Sequence, residues 1–160
     1  MRKQLWFSIL AAALAVGGCK KTQDDTHGAA KQVEKSVEGV DQQQKDLDKT
    51  EANKNATPDD MTKAKGDVQS AKDDLAAARD KYAITAHDRL QQLDIKINEL
   101  AERADAKSKE ALTAIRAERD SLAQMVDSAK TQMATGWDDF TKGVDHRFDQ
   151  IEKSVNDALK

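Results

Sequence analysis

The sequence predicts an all-α protein: an elongated antiparallel helical hairpin or coiled coil, with an additional short N-terminal helix. Charged residues make up 34% of the 160-residue chain and aromatic residues only 4%, a composition typical of long helices and coiled coils. One proline and seven glycines leave few places where the chain can reverse. Apolar residues recur in steps of three and four along most of the chain, which is the spacing of one helix face.

A short amphipathic helix is predicted over residues 29–53. Its apolar stripe has spacings of four, three and seven, and consists of Val33, Val37, Val40 and Leu47. Gly39 interrupts the helix, and valine is a mediocre helix former. We therefore expect this helix to need a partner surface to stay folded. A polar break follows at residues 53–56.

The first long helix is predicted over residues 57–104, and its start is well marked. Thr57 can cap free backbone amides, and Pro58 suits the first helical position. Asp59 and Asp60 then place negative charge at the positive end of the helix dipole. Apolar residues continue from this point in steps of three and four.

The second long helix is predicted over residues 108–159 from an eleven-residue repeat. Three interleaved apolar lines keep this period, and one of them is Ile115, Val126, Trp137, Phe148 and Leu159. Because the phase holds across Gly136, we expect the helix to continue through that glycine. The stripe fades over residues 105–109, where a reversal would give two arms of nearly equal length. The alternative is one unbroken rod paired with another chain.

Residues 1–18 have the layout of a secretory signal. Arg2 and Lys3 precede a twelve-residue apolar run from Leu5 to Val16, which is too short for a membrane span of ~20 residues. Small residues end the run, and the only cysteine of the chain follows them in the string Val16-Gly17-Gly18-Cys19.

This string resembles the lipobox of bacterial lipoproteins. The resemblance implies that the thiol of Cys19 receives a diacylglycerol, that the chain is cleaved between Gly18 and Cys19, and that the new amine is acylated. These covalent lipids are the only prosthetic groups expected, and they make the membrane a partner through a stable anchor. Residues 19–28 are then interpreted as the lipidated cysteine followed by a polar tether.

The residue after the cysteine bears on location. In enteric-type bacteria an aspartate there commonly holds a lipoprotein in the inner membrane, whereas this chain has Lys20. The resemblance therefore implies an outer-membrane protein with its body on the periplasmic face, and an inner-membrane location is the less favoured alternative.

Composition and motifs argue against several function classes. The formal charge is −3, and removal of residues 1–18 takes away Arg2 and Lys3 to leave −5, which disfavours nucleic-acid binding. No catalytic residues and no metal ligands are predicted: the three histidines are far apart in sequence, and no phosphate-binding loop or nucleophile motif occurs. We expect neither an enzyme nor a small-molecule substrate.

Two features leave the function open between alternatives. The widest apolar stripe is either core, packed near Met61 and Val68, or a surface for a partner or for lipid, similar to the repeats of exchangeable apolipoproteins; it comprises Trp137, Phe140, Val144, Phe148 and Ile151. The C-terminal Lys160 is a candidate for peptidoglycan attachment, as in Braun's-type lipoproteins. The favoured function is a structural scaffold or protein-interaction element that self-associates or binds another envelope protein.

Overall fold

The computed structural model describes residues 17–103, 106–133 and 135–159, with side chains described from residue 23 onward except at 106–108. Four α-helices follow one another in this part of the chain: α1 (Gly17–Ala52), α2 (Pro58–Arg103), α3 (Ala106–Asp127) and α4 (Trp137–Ala158). A short 3-10 helix occupies Ser128–Thr131. The described residues contain no strand, so the predicted all-α class is confirmed.

Helices α1 and α2 form an antiparallel hairpin, and the connection between them, residues 53–57, contains the predicted polar break. The hydroxyl of Thr26 faces the carbonyl oxygen of Thr85 at 3.5 Å, and Lys81 Nζ donates to Gln32 Oε1 at 3.0 Å. These pairs set the two helices side by side in opposite directions. The elongated helical hairpin predicted from the sequence is therefore present, although α2 pairs most extensively with α1 rather than with the C-terminal arm.

The start of α2 is a capping box. The backbone N–H of Asp60 donates to Thr57 Oγ1 at 3.2 Å, and the backbone N–H of Thr57 donates to Asp60 Oδ2 at 2.9 Å. Two amides that would otherwise lack a partner are satisfied in this way. The hydrogen bond from Thr57 also holds the pKa of the Asp60 carboxyl below its ordinary value.

Helices α3 and α4 fold back to complete a four-helix bundle. Helix α3 runs antiparallel to α2, because His87 meets Asp127 at 2.9 Å while Arg119 binds Asp94. Helix α4 runs antiparallel to α3, since Arg147 Nη1 donates to Ser121 Oγ at 3.1 Å while Gly143, one turn earlier, lies beside Met125. The connectivity is up-down-up-down, as in many four-helix bundles.

The α1–α2 hairpin is longer than the bundle. The apolar core draws on α1 only up to Val40 and on α2 only from Leu75 onward. Residues 41–74 therefore extend beyond α3 and α4 as a two-helix segment, which we call the tip. Within the tip Val68 is buried, and the remaining seam consists of half-buried side chains such as Leu47 and Ala64.

The C-terminal arm differs from the unbroken helix expected over residues 108–159. Helix α3 ends at Asp127, and Gly136 at the start of α4 has φ 100° in the left-handed region. Glycine adopts this conformation without a steric penalty, so Gly136 ends the connection instead of lying within a helix. The predicted reversal near residues 105–109 corresponds to the connection between Arg103 and Ala106, across which α2 and α3 become antiparallel.

Helix α1 also begins earlier than the predicted span of residues 29–53. It starts at Gly17 and includes the segment interpreted as a polar tether. Thr26 is only 1% exposed, and Ala29 and Ala30 are buried as well. Because these residues are small or polar, they gave no apolar stripe, yet their size allows close packing against the neighbouring helices.

Candidate functional site

The predicted acylation site lies at the start of α1. Gly18 and Cys19 fall in the first turn of that helix, whereas the remainder of the predicted signal, residues 1–16, lies outside the described part of the chain. The side chain of Cys19 is likewise outside the description, and so is Lys160. Lipidation, cleavage and peptidoglycan attachment therefore remain predictions from the sequence.

The apolar stripe of α4 belongs to the core. Each of its five residues is at most 9% exposed, and they are Trp137, Phe140, Val144, Phe148 and Ile151. In this fold the stripe is not available as a surface for lipid or for a partner. Its neighbours also differ from those expected, because α4 lies beside the second half of α2 rather than near Met61 and Val68.

An aromatic cluster anchors the first turn of α4. Tyr82 and Trp137 meet edge to face with ring centroids 5.0 Å apart, and Phe140 lies 5.4 Å from Trp137. The indole N–H of Trp137 donates to the backbone carbonyl of Ala30 at 3.3 Å. Three helices therefore converge on one aromatic cluster, which contributes more than its buried area alone.

A buried arginine next to this cluster was not predicted from the sequence. Arg89 in α2 is only 2% exposed, and its Nη1 donates to Asp145 Oδ1 at 2.8 Å while its Nη2 donates to Asp149 Oδ1 at 3.0 Å. The guanidinium carbon lies 4.2 Å from the centre of the Phe148 ring. Both carboxylates belong to α4, so a single side chain of α2 holds two turns of that helix.

Asp145 is shared by three helices. Its Oδ2 lies 2.9 Å from Nε2 of His27 in α1, while its Oδ1 accepts from Arg89. Burial raises the pKa of the nearby Tyr82 hydroxyl, the negative charge of Asp145 raises it further, and Arg89 acts in the opposite direction. The Tyr82 hydroxyl and Arg89 Nε are buried without a hydrogen-bond partner among the described residues.

In the sequence, only the position of Arg89 within the apolar stripe of α2 indicates that this residue is buried. It continues the steps of four and three that run from Tyr82 through Ala86 to Leu93, so it occupies a core position of α2. An arginine there must be paired, because an isolated buried charge is strongly unfavourable. The two carboxylates compensate the buried positive charge of Arg89 and fix the position of α4 relative to α2.

Other ion pairs bind α3 to α2 at the bundle surface. Arg119 binds Asp94 through two nitrogens, with Nε donating at 2.6 Å, and the hydrogen bond to Asp94 raises the pKa of Arg119. Lys130, in the 3-10 helix that follows α3, adds a pair with Asp80 of α2 at 3.1 Å. Pairs of this kind are partly solvated and each contributes little to stability.

The described residues contain neither a cluster of metal-ligating side chains nor a membrane-spanning helix. No group of three or more His, Cys, Asp and Glu side chains there could hold a metal ion. None of the helices in residues 17–103, 106–133 and 135–159 is both long and apolar enough to cross a membrane.

Comparison with known proteins adds no relative. No protein-family model matches the chain, and neither the search of curated proteins nor that of solved structures gives a significant match.

Proposed function

We propose that this protein is an envelope lipoprotein, acylated at Cys19, whose periplasmic part acts as a helical scaffold or protein-interaction element. The observation that carries the proposal is the string Val16-Gly17-Gly18-Cys19 directly after a basic start and a twelve-residue apolar run. The chain has no other cysteine, so Cys19 has no partner within the chain for a disulfide.

The architecture supports a scaffold. Helix α1 carries Cys19 at one end and the α1–α2 connection at the other, 33 residues farther along at Ala52. At a rise of 1.5 Å per residue these points are about 50 Å apart. An anchor at Cys19 would therefore leave the tip free to contact a partner well away from the point of attachment.

Attachment to peptidoglycan through Lys160 is a weaker alternative. Helix α4 runs antiparallel to α1, so Leu159, the last described residue, lies at the Cys19 end of the molecule. A covalent link at the next residue would hold the cell wall near the lipid anchor, and the length of the bundle would not separate wall and membrane. Recovery of the protein from purified sacculi would support this alternative.

Binding to a lipid surface through the α4 stripe is also less favoured. Its aromatic and aliphatic side chains are buried, so the bundle would have to open before they could enter a membrane. A gain of helical signal when vesicles are added to non-acylated protein would support this alternative.

Metabolic labelling with a palmitate analogue tests the proposed acylation. The full-length chain should incorporate the label. Its mass should fall by that of residues 1–18 and rise by that of the attached acyl groups. Cys19→Ser should abolish the labelling and both mass changes. Gly28→Ala is a suitable control, because a methyl group at this helical position meets no atom within 4 Å. Unlabelled wild-type protein, or label that persists in Cys19→Ser, would overturn the proposal.

A further inference from the structure

The apolar residues of α3 and α4 keep one common phase across the break that separates the two helices. Counted through the connection, they recur in steps of three and four: Leu122, Val126, Ala129, Met133, Trp137, Phe140, Val144, Phe148, Ile151 and Val155. Residues with this spacing lie along one face of a single helix. If residues 132–136 became helical, the α4 stripe would therefore point in the same direction as the buried face of α3.

Only a short part of the connection has to change for the two helices to join. Ser128–Thr131 is already a 3-10 helix, and Gln132 then leaves the helical region with ψ 132°. Gly136 departs from it with φ 100°. The connection contains no proline, so every residue in it can enter a helix. Met133 is the one exposed member of the apolar series, at 71%, and a joined helix would return it to the apolar face.

The tip is the part of the molecule that such a joined helix would reach. There α1 and α2 have only each other, and much of their seam is half-buried, including Leu47, Met61, Ala64 and Ala71. An amphipathic helix in a protein is stabilised mainly by packing of its apolar face against neighbours. A third helix laid along this seam would cover apolar surface that is now partly open to water.

The register between α2 and α3 determines where α4 would lie. Arg119 binds Asp94, and the two helices are antiparallel, so each step forward along the C-terminal arm is one step back along α2. Phe148 would then be level with residue 65 of α2, next to Ala64. A large aromatic side chain of the stripe would thus meet a small residue of the tip seam, a combination that lets two helices approach closely.

The lengths of the two segments also match. In the same register Trp137 would be level with residue 76 of α2, and Ala158 with residue 55, inside the connection between α1 and α2. Helix α4 is 22 residues long, or about 33 Å. It would therefore cover the tip from its base to its end and extend no farther.

We propose that the C-terminal arm has a second conformation, in which α3 and α4 form one continuous helix and α4 lies along the tip. The same apolar stripe is buried in both conformations, so one set of packing contacts replaces another. The four-helix bundle is the main form, because only the bundle contains the ion pairs between Arg89 and α4 and the ring contact between Tyr82 and Trp137. The extended form removes the left-handed conformation at Gly136. It does not depend on acylation of Cys19.

Distances between two spin labels, measured by double electron–electron resonance, distinguish the two conformations. The labels are attached at Lys65→Cys in the tip and Gln150→Cys in α4, in the mature, non-acylated chain with Cys19→Ser. Position 150 follows Asp149, which binds Arg89, so in the bundle it lies 24 residues, or about 36 Å, from position 65 along α2. In the extended form position 150 is level with residue 63, and the distance falls below about 20 Å.

Two substitutions should populate the extended form by weakening the bundle alone. Alanine at position 136 is strained at φ 100° but not in a helix, so Gly136→Ala should raise the ratio of short to long distances about five- to thirtyfold. Arg89→Ala removes ion pairs that only the bundle makes and should shift the ratio in the same direction. Gly28→Ala should leave it unchanged, since a methyl group there meets no atom within 4 Å.

A second measurement does not depend on destabilised variants. A short bifunctional thiol reagent added to the chain with Lys65→Cys and Gln150→Cys should slowly accumulate internally crosslinked monomer, because each visit to the extended form is trapped. A label pair at Lys31→Cys and Lys65→Cys lies within the α1–α2 hairpin, and its distance should be the same in every variant.

Three results would overturn the second conformation. One is a single long distance in both Gly136→Ala and Arg89→Ala when circular dichroism shows them folded. Another is the absence of crosslinked monomer in the chain that carries only the two cysteines and Cys19→Ser. The third is a short distance that disappears when labelled protein is diluted with unlabelled protein, which would mean that α4 occupies the tip of a second copy. None of these results bears on the acylation of Cys19, which the palmitate label tests separately.

Discussion

Arg89 of α2 and Asp145 of α4 form a 2.8 Å ion pair across the interior of the bundle, with the arginine almost entirely buried. The two helices are separated in sequence by α3 and run in the same direction. Because Asp145 also meets His27 of α1, the pair fixes the relative heights of three helices. A polar contact inside an apolar core can specify one arrangement among several of similar hydrophobic burial.

Arg89→Ala should lower the free energy of unfolding by about 3 kcal/mol, because truncation leaves Asp145 and Asp149 without their buried cation. We place the effect at the lower end of the usual range for broken buried pairs, since both carboxylates are partly exposed. Urea unfolding of the non-acylated chain, followed by circular dichroism, measures the change.

Arg147→Ala is the matched control for this substitution. Arg147 is exposed and donates to Ser121, so its loss should change stability by no more than about 0.5 kcal/mol. Equal losses for the two arginines would show that the interior pair has no special role.

Gly136→Ala should destabilise the protein by about 1–2 kcal/mol, because alanine is strained at a φ of 100°. Gly66→Ala should have the opposite sign, a gain of about 0.5–1 kcal/mol, since Gly66 is helical and a methyl group there meets open space. Thermal or urea unfolding compares the two. A stabilising Gly136→Ala would favour the unbroken C-terminal helix over the break in this fold.

Trp137 should behave as a buried fluorophore. It is 2% exposed, and it is the only tryptophan left once residues 1–18 are removed. Its emission should be blue-shifted and quenched severalfold less by acrylamide than in the urea-unfolded chain. Quenching that is equally strong in both states would mean that the α4 stripe is open to solvent.

Burial of Tyr82, the only tyrosine of the chain, should lower the stability of the protein at alkaline pH. Burial and the charge of Asp145 raise the pKa of Tyr82 above its ordinary value near 10. The folded state therefore keeps the phenol proton at a pH where the unfolded state has lost it, so stability is fully present below pH 10 and falls as the pH rises above it. Phenolate absorbance measured against pH should show late titration in the folded chain and ordinary titration in urea. Tyr82→Phe should remove this component of the pH dependence.

Lys20→Asp should retain the protein in the inner membrane if it follows the sorting of enteric lipoproteins implied by the lipobox resemblance. Separation of inner and outer membranes by density, followed by detection of the protein, gives the result. Lys21→Asp introduces the same charge one residue later and should leave the distribution unchanged. Outer-membrane recovery of both variants would contradict the sorting interpretation.

Helix starts that are marked by capping residues could be predicted from the sequence. Thr57 and Asp60 form the expected cap because the signal is contained in four adjacent residues. The break before α4 was missed because the eleven-residue phase continues across it. Met133 shows that this continuity is not structural in the four-helix bundle, since it follows Leu122 by eleven residues in another of the three apolar lines and yet is 71% exposed.

A local signal for that break was nevertheless present. Gly136 is followed by Trp137 and then by Asp138 and Asp139 in the first turn of α4, which repeats the placement of Asp59 and Asp60 at the start of α2. A regular apolar period reports which residues face a core. It does not report whether one helix or two present those residues to it.

The buried ion pairs were harder to predict. A charged residue is normally assigned to the surface, and the carboxylates that neutralise Arg89 lie 56 and 60 residues away in sequence. Pairing over such a distance depends on the bundle topology. That topology cannot be predicted when α3 and α4 are taken as one unbroken helix. The partner of a buried charge therefore becomes visible only when the order of the helices around the core is known.

Helix α2 passes through two very different surroundings without interruption. Its middle, from Leu75 to about residue 93, is enclosed by three other helices, whereas its first part has only α1 beside it in the tip. Backbone amides in the tip should therefore exchange with solvent through small local openings, while those near Ala86 and Leu90 should exchange only when the whole bundle unfolds. The bundle is therefore the stable part of the molecule, and the tip is the part that opens and closes locally. A partner that binds the tip can change its conformation while the bundle stays folded.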